Sequence, residues 1–374
     1  MSPPFTDGQR VGLGAVYLVP AADGGITLRT ASKALALRGR DVSSVFGHLV
    51  ELLDSTRTWS DVESSMREKI GSESDAILAQ LADLGVIEAV PSEKLPPQLV
   101  SLNRYLKRNG GTAETGDKVA QATVLVAGEG AGLPALALSV ASLGVSSIVL
   151  TARTPIQVTH TAQSAHLLKA TPGESMVSRA AQVVAEADLD TEIVEHHDFP
   201  QSVTEWQRLL DSVTVAGITY DSPVISAPWL DEFNRAALQE GVPWTSAALL
   251  GRSRVHVGPS IIPGETACWT CFCQRFRSNV GVVGRYDEFE EFVSRIHEYI
   301  DRGSSPTFAD FLGPLEAFEI LRLIDHENLL PGSVNRVMTF DTWDYNMESH
   351  DVMRLPRCPD CSPVHDMPSE RLWG

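Results

Sequence analysis

The sequence predicts an α/β protein: a doubly wound, largely parallel sheet domain preceded by a small winged-helix-like α+β domain. Three observations carry this. From residue 118 onward short apolar runs alternate with amphipathic stretches, the rhythm of βαβ units. A Gly-rich turn, Gly128, Gly130 and Gly132, joins the first of those runs to the first helix. Before the Pro-rich stretch PSEKLPPQ (91–98), by contrast, strands come first and helices follow. The expected division is 1–92 for the small domain, 93–117 for a linker with a short helix, and 118–374 for the large domain.

In the small domain, VGLGAVYLVP, GGITLRT and KALALRG read as three strands separated by Ala/Asp/Gly turns. DVSSVFGHLVELLD then sets Val42, Val45, Phe46, Leu49 and Leu53 on one helical face, with Asp41 as N-cap. TWSDVESSMREKI offers Thr58 or Ser60 as its cap. SESDAILAQLADLG turns Ile77, Leu78, Leu81 and Leu84 inward and stops at Gly85. LVSLNRYLKR is a short helix beyond the linker. TVLVAG, LPALALSVASLG, SSIVLT, SMVSRAAQVVAEAD, TEIVEH, SPVISA, LDEFNRAALQEG and VPWTSAAL then alternate between strand and helix, apart from one strand-to-strand step at TEIVEH–SPVISA. His196, His197 and Asp198 close a strand, where neighbours face opposite ways and form no cluster. YDEFEEFVSRIHEYIDRG reads as a helix with Phe289, Phe292, Ile296 and Ile300 inward and its acids in solvent. SVNRVMTFDTWDYNMESHDVMRLPRCPDC reads as strands ending on a cysteine pair.

Composition removes several function classes. With 30 Lys and Arg against 48 Asp and Glu, the net charge of −18 opposes nucleic-acid binding, which needs bases to neutralise phosphates. The third helix carries Glu73, Asp75 and Asp83 and no Lys or Arg, so the winged-helix-like unit is not expected to read DNA. No run approaches the roughly 18 apolar residues of a membrane span, and MSPPFTDGQR has no signal-peptide pattern. No membrane partner and a cytoplasmic location are expected.

Four of the five cysteines form two pairs, Cys268-Trp-Thr-Cys271 and Cys358-Pro-Asp-Cys361. Four thiolates complete the tetrahedral shell of a structural Zn²⁺ with no open position for catalysis. The alternative is two separate reducible pairs. A shared ion would tie the chain's end back to the sheet, and Cys273 is a spare, packed thiol.

The glycine turn follows a strand and opens a helix, the setting of a phosphate cradle. Leu133 stands where a G-x-G-x-x-G turn has its third glycine. The next strand ends Leu150, Thr151, Ala152, Arg153, without the acid that bonds a ribose. Two readings stay open: a nucleotide cradle, or a tight turn with no ligand.

Taken in order, the glycine turn, VPWTSAAL, ETACWTC and CPDC resemble the ThiF/MoeB adenylating fold, shared with ubiquitin-activating enzymes, over most of 118–361. The resemblance implies four charged groups, and each matching position lacks its group. Leu150, Thr151 and Ala152 offer no ribose Asp; VTHTAQS (158–164) has no phosphate-clamping Arg. Met176 takes the catalytic Lys position, with Lys169 the nearest lysine, and Ile225, Ser226, Ala227 and Pro228 provide no Mg²⁺ carboxylate. Phosphate activation needs those charges. The turn at Gly128, Gly130 and Gly132 is therefore expected to be vestigial, and ATP is not an expected cofactor.

The small domain, with LLDSTRT between its first two helices, resembles the precursor-peptide recognition domain of ribosomal natural-product pathways. That resemblance implies a leader peptide adding as a strand along Ala34, Leu35, Ala36, Leu37 and Arg38 and packing on Ile77, Leu78, Leu81 and Leu84. The same apolar residues also read as plain core. The C-terminal stretch resembles the ending of ThiF-like scaffold proteins that partner YcaO cyclodehydratases. The implied function is to bind a leader peptide and to present it to, and activate, a YcaO enzyme that forms azolines from Cys, Ser or Thr, with no independent catalysis. The alternative is an active adenylating enzyme acting on a peptide or carrier-protein carboxylate. A zinc-containing nucleotide oxidoreductase lacks its ribose acid, and a transcription regulator is opposed by the acidic third helix. Members of this fold often dimerise, so a homodimer is a candidate assembly.

Overall fold

The computed structural model describes residues 5–14, 16–21, 25–29, 34–39, 41–90, 97–112, 114–221, 227–250, 253–281, 283–295, 305 and 307–362. The chain divides into two units, Met1–Pro96 and Pro97–Gly374. No helix among the described residues is long and apolar enough to cross a membrane.

The first unit runs β1 (Arg10–Leu13), β2 (Tyr17–Pro20), β3 (Ile26–Arg29), β4 (Ala34–Leu37), α1 (Val42–Leu52), β5 (Asp54–Thr58), α2 (Trp59–Ile70), α3 (Ser74–Asp83) and β6 (Ile87–Ala89). It holds two small antiparallel sheets, ordered β5-β1-β6 and β2-β3-β4. VGLGAVYLVP, expected as one strand, is thus two strands in different sheets. The break falls at Gly14, where a Cβ would stand 2.1 Å from the Gly85 carbonyl oxygen, so only glycine lets the chain pass. The link DSTRT is itself β5, paired with β1, which local pattern did not reveal because four of its five residues are exposed.

Capping is also corrected in one place. Asp41 has a left-handed backbone and makes no capping bond. Thr58 caps α2 through a reciprocal box with Asp61, whose carboxylate accepts the Thr58 N–H at 3.0 Å. α3 ends in paired bonds, Val86 N–H to Leu81 O at 2.8 Å and Gly85 N–H to Ala82 O at 3.0 Å, which use up its last carbonyls. Phe46, Leu49, Trp59, Val62, Met66, Leu78 and Leu81 bury against one another and Leu28.

The second unit begins with α4 (Pro97–Arg108) and α5 (Thr115–Gln121), in the stretch read as a linker. It continues β7 (Thr123–Gly128), α6 (Leu133–Ala141), β8 (Ser147–Ala152), α7 (Val158–Thr161), α8 (Met176–Ala185), β9 (Glu192–His196), α9 (Val203–Leu210), β10 (Val215–Asp221) and α10 (Pro228–Glu240). Then come β11 (Trp244–Leu250), β12 (Arg254–Val257), α11 (Trp269–Ser278), α12 (Val283–Arg295), α13 (Leu312–Ile324), β13 (Arg336–Asp341) and β14 (Met347–Asp351). Eight strands form one sheet, ordered β14-β13-β12-β11-β10-β7-β8-β9. β7 to β11 pair in parallel, and β12, β13 and β14 extend the sheet antiparallel.

SPVISA does not supply the strand beside β7. VAGITYD does, as β10, and residues 222–226 of the expected strand lie outside the described residues. β10 is buried at all seven positions. Such a strand shows no alternation, which hides it from periodicity. In α12, Phe289 and Phe292 are exposed rather than inward; Ile296 and Ile300 lie outside the described residues. The inward residue is Glu290, which accepts Arg277 Nε at 3.0 Å. This ion pair and the Tyr286–Phe276 ring contact, at 5.7 Å, tie α12 to α11.

α6, α8 and α13 cover one face of the sheet. On the other, α9, α10 and α11 bring rings from Trp206 through Phe233 and Trp244 to Trp269, at successive centroid distances of 5.1, 5.1 and 5.8 Å. Asp325, buried after α13, accepts Lys118 Nζ at 2.6 Å, Asn328 Nδ2 at 3.0 Å and the Thr115 hydroxyl. Burial works against charge on Asp325, yet these bonds prevail and hold its carboxyl below the usual range.

Two stability outcomes follow from this framework. Thr58→Ala should cost about 1 kcal/mol in chemical denaturation, by losing the box at the start of α2. Asp325's contribution should be complete above its unfolded pKa of about 3.9 and be lost as pH falls through its lower folded value. Melts at descending pH should therefore fall more steeply for wild type than for Asp325→Asn.

Candidate functional site

Three places have the residues of a site: a thiolate cluster, the glycine turn and the edge of the first unit's sheet. Cys268 caps α11 and Cys271 lies in its first turn. Cys358 and Cys361 return from the far end of the chain. The four Sγ atoms all lie within 4.8 Å of one another. Cys268–Cys271 is 3.9 Å, Cys268–Cys358 3.6 Å and Cys271–Cys361 3.5 Å. These are too long for disulfides, and metal–sulfur bonds of about 2.3 Å in a tetrahedron set sulfurs roughly 3.8 Å apart. The four cysteines could thus hold a metal ion, with no position left open. The Cys268 thiol, against opposing burial, and the Leu355 N–H at 3.3 Å hold the Cys271 thiol below the usual cysteine range.

Asp360, inside the second pair, fixes the two pairs to each other. It accepts Arg235 Nε at 3.3 Å, Asn234 Nδ2 at 3.5 Å and the hydroxyl of Thr270 inside the first pair. Asn234 in turn accepts the Trp269 N–H at 3.2 Å. Arg275 and Arg354 hold the returning chain through carbonyls, Arg275 Nε to Met353 O at 2.6 Å and Arg354 Nη2 to Gly264 O at 2.8 Å. Nothing in the spacing of the cysteines pointed to Asp360, since its partners come from elsewhere in the chain. Cys273 is buried nearby, and that burial pushes its thiol pKa well up.

The glycine turn sits between β7 and β10, where the parallel strands diverge to either side and ligands enter such sheets. Gly128 (φ 147°) and Gly130 (φ 101°) have backbones that side chains rarely adopt. A Cβ at Gly128 would meet Thr219 O at 1.8 Å, one at Gly130 the Asp221 Cβ at 2.8 Å, and one at Gly132 Thr219 Oγ1 at 2.7 Å. Packing alone accounts for all three. Between them, the buried Glu129 takes Arg153 Nη1 at 2.8 Å. Its own N–H goes to Thr219 O at 3.0 Å.

In the first unit, β4 is an edge strand, paired only with β3 among the described residues. Leu35 and Leu37 stand opposite Leu28 and Ile26, on the face packed on the core. Leu35 is 36% exposed and Ile77 39%. Ala34, Ala36 and Arg38 are exposed and Leu84 is half-buried. Leu78 and Leu81, expected to wall a groove, are sealed in the core, because the helix turns them toward Trp59 and Met66.

No family model matches the sequence, and no curated protein matches it. Among solved structures, E. coli MccB with succinimide aligns with a TM-score of 0.65 at 15% identity, over 94% of this chain and 100% of MccB. The heterocyclase TruD aligns with a TM-score of 0.62 at 16% identity, over 95% of this chain and 43% of TruD. A heterocyclase in complex with substrate and cofactor gives 0.61 at 15% identity, over 95% and 40%. The chain has the ThiF-like fold. It spans less than half the length of the two heterocyclases.

β8 ends at Ala152, and the next residue, Arg153, pairs with Glu129 in place of a ribose acid. His160, in the segment expected to lack a phosphate clamp, is buried, which takes its pKa down to about 4 and leaves it neutral. Met176 opens α8 and is buried, while Lys169 is exposed. One expectation is corrected. The strand beside β7 ends at Asp221, not at 225–228, so an acidic residue does end that strand, its Cβ packed against Gly130. The misplacement arose because β10 reaches the sheet several residues early.

Replacing any one of Cys268, Cys271, Cys358 or Cys361 by Ser should abolish retention of one metal ion per chain, measured by elemental analysis after gel filtration. Asp360→Ala should keep the ion but release it to a competing chelator with roughly 10–100-fold weaker affinity.

Proposed function

We propose that this protein binds the leader peptide of a ribosomally made precursor and presents it to a YcaO cyclodehydratase, which it also activates. The partner would form azolines from Cys, Ser or Thr and perform the ATP chemistry. The observation that carries this reading is the edge of β4, which no second strand covers among the described residues. An added strand finds free backbone groups there, and beside them Leu35 is half open to solvent on the face that continues into the core. A natural edge is usually blunted by inward charge, proline or a bulge. β4, ALAL, has none of these. The heterocyclase neighbours, one of them holding substrate and cofactor, support a role in such maturation.

In this reading Zn²⁺ occupies the four-thiolate site, since a tetrahedral sulfur set suits zinc, and its role is structural. The ThiF-like cradle serves as a frame. Glu129 places a carboxylate inside the turn, where it repels phosphate, and Arg153 is committed to it. No nucleic acid or membrane takes part. Asp221 favours the second reading, an adenylating enzyme acting on a peptide or carrier-protein carboxylate, as do the structures of MccB with ATP and with MccA.

The two readings separate in solution. A synthetic leader peptide from the precursor encoded with this protein should bind in an anisotropy titration. Leu35→Glu and Ile77→Glu should each weaken it roughly tenfold while leaving metal content and melting unchanged. Calorimetry with Mg·ATP should give no binding, and the isolated protein should show no ATP–pyrophosphate exchange. Exchange by the isolated protein would establish adenylation instead.

A further inference from the structure

We propose that Arg29 selects the strand added at β4, by pairing across Ala34 with an Asp or Glu of the bound peptide. This rests on the peptide-binding reading above and adds to it the residue pattern of the bound segment.

The backbone decides which residues of β4 can take a strand. In the β2–β3 hairpin the Ala21 N–H donates to Gly25 O at 2.9 Å, so the hydrogen-bonded pairs that follow are Val19 with Thr27 and Tyr17 with Arg29. Successive residues turn their backbone groups to opposite sides. Ile26 and Leu28 therefore turn theirs to β4, where they stand opposite Leu37 and Leu35. That leaves Ala34 and Ala36 with N–H and C=O directed to the open edge. The same alternation spoils the sheet's other edge. On β2 the outward residues are Leu18 and Pro20, and Pro20 has no N–H to give.

Side chains alternate in the same rhythm. Ile26, Leu28, Leu35 and Leu37 lie on the core side. The opposite face carries two rows across the strands: Tyr17, Arg29 and Ala34, then Val19, Thr27 and Ala36. An added strand lengthens each row by one residue. Its residue opposite Ala34 lies two strands from Arg29, roughly 10 Å between Cα atoms, with only a methyl group between them. A guanidinium and a carboxylate together span that gap, and the pair is charge-assisted. Arg29 is exposed, it is the only charged residue of the two rows, and its side chain has no hydrogen bond or ion pair among the described residues.

Residues opposite Leu35 and Leu37 point to the apolar side, at positions where opposed strands come closest, about 4.5 Å between Cα atoms. The bound segment thus carries two apolar residues separated by one, with an acid next to the residue that faces Leu35. A strand antiparallel to β4 would read apolar, any, apolar, acid. A parallel strand would read acid, apolar, any, apolar.

Anisotropy titrations of the full chain test this, using a labelled synthetic leader from the precursor encoded with this protein and melting as a check on folding. Arg29→Ala should weaken binding roughly threefold. Arg29→Glu should weaken it roughly tenfold at low ionic strength, with a smaller loss as salt rises. Changing each Asp or Glu of the leader to Lys in turn should find one position that matters comparably, placed in the pattern above. Arg29→Glu should restore binding of that Lys peptide, which a purely structural role for Arg29 would not do. A leader that binds wild type and Arg29→Glu equally, one in which no acid matters, or a Lys peptide that Arg29→Glu does not rescue overturns the assignment of Arg29. Strand addition at β4 then still stands if Leu35→Glu weakens the same leader. A leader that does not bind wild type at all overturns the strand-addition reading and the assignment with it.

Discussion

At residue 128 two neighbouring strands pass so closely that no side chain fits between them. A Cβ there would lie 1.8 Å from the Thr219 carbonyl oxygen, well inside any permitted contact. The rest of the second unit is arranged around this approach. It sets β7 against β10 at the point where the sheet divides, and it starts α6 immediately beyond. The glycines that make a phosphate cradle in a sequence are therefore required by the sheet, whether or not a ligand is bound. The interior of the turn is free to change, and here it holds the Glu129–Arg153 pair. Asp221 ends β10 beside the turn.

The thiolate cluster is the second fixed point. It brings the N-terminus of α11 against a segment far along the chain, and an ion held there would favour the folded chain, because the four thiols come together only on folding. Asp360 makes the closure directional by bonding to both α10 and the first cysteine pair. With residues 351–361 anchored this way, β13 and β14 are held as the last strands of the sheet and their edge faces outward.

Both units therefore present a bare sheet edge and neither presents an assembled set of catalytic charges among the described residues. Binding by strand addition needs little more than open backbone groups and a neighbouring apolar surface, both of which β4 has. Phosphate chemistry needs several charges converging on one point, and at the turn Glu129 and Arg153 are paired with each other beside Asp221.

How much of this the sequence determined by itself depends on the range of the forces involved. The cysteine pairs, the strand-and-helix rhythm and the glycine turn were legible, since each is written in adjacent residues: thiolate spacing, hydrophobic period, a backbone only glycine adopts. β10 was not, because a strand buried on both faces has no alternation. β5 was not, because its pairing with β1 rather than its own side chains makes it a strand. Leu78 and Leu81 followed the helical period inward, but only packing showed that inward meant core and not groove. The partners of Glu129, Asp360 and Glu290 were equally hidden. An ion pair depends on which elements the fold brings within about 3 Å, and a sequence records charges without recording where they meet.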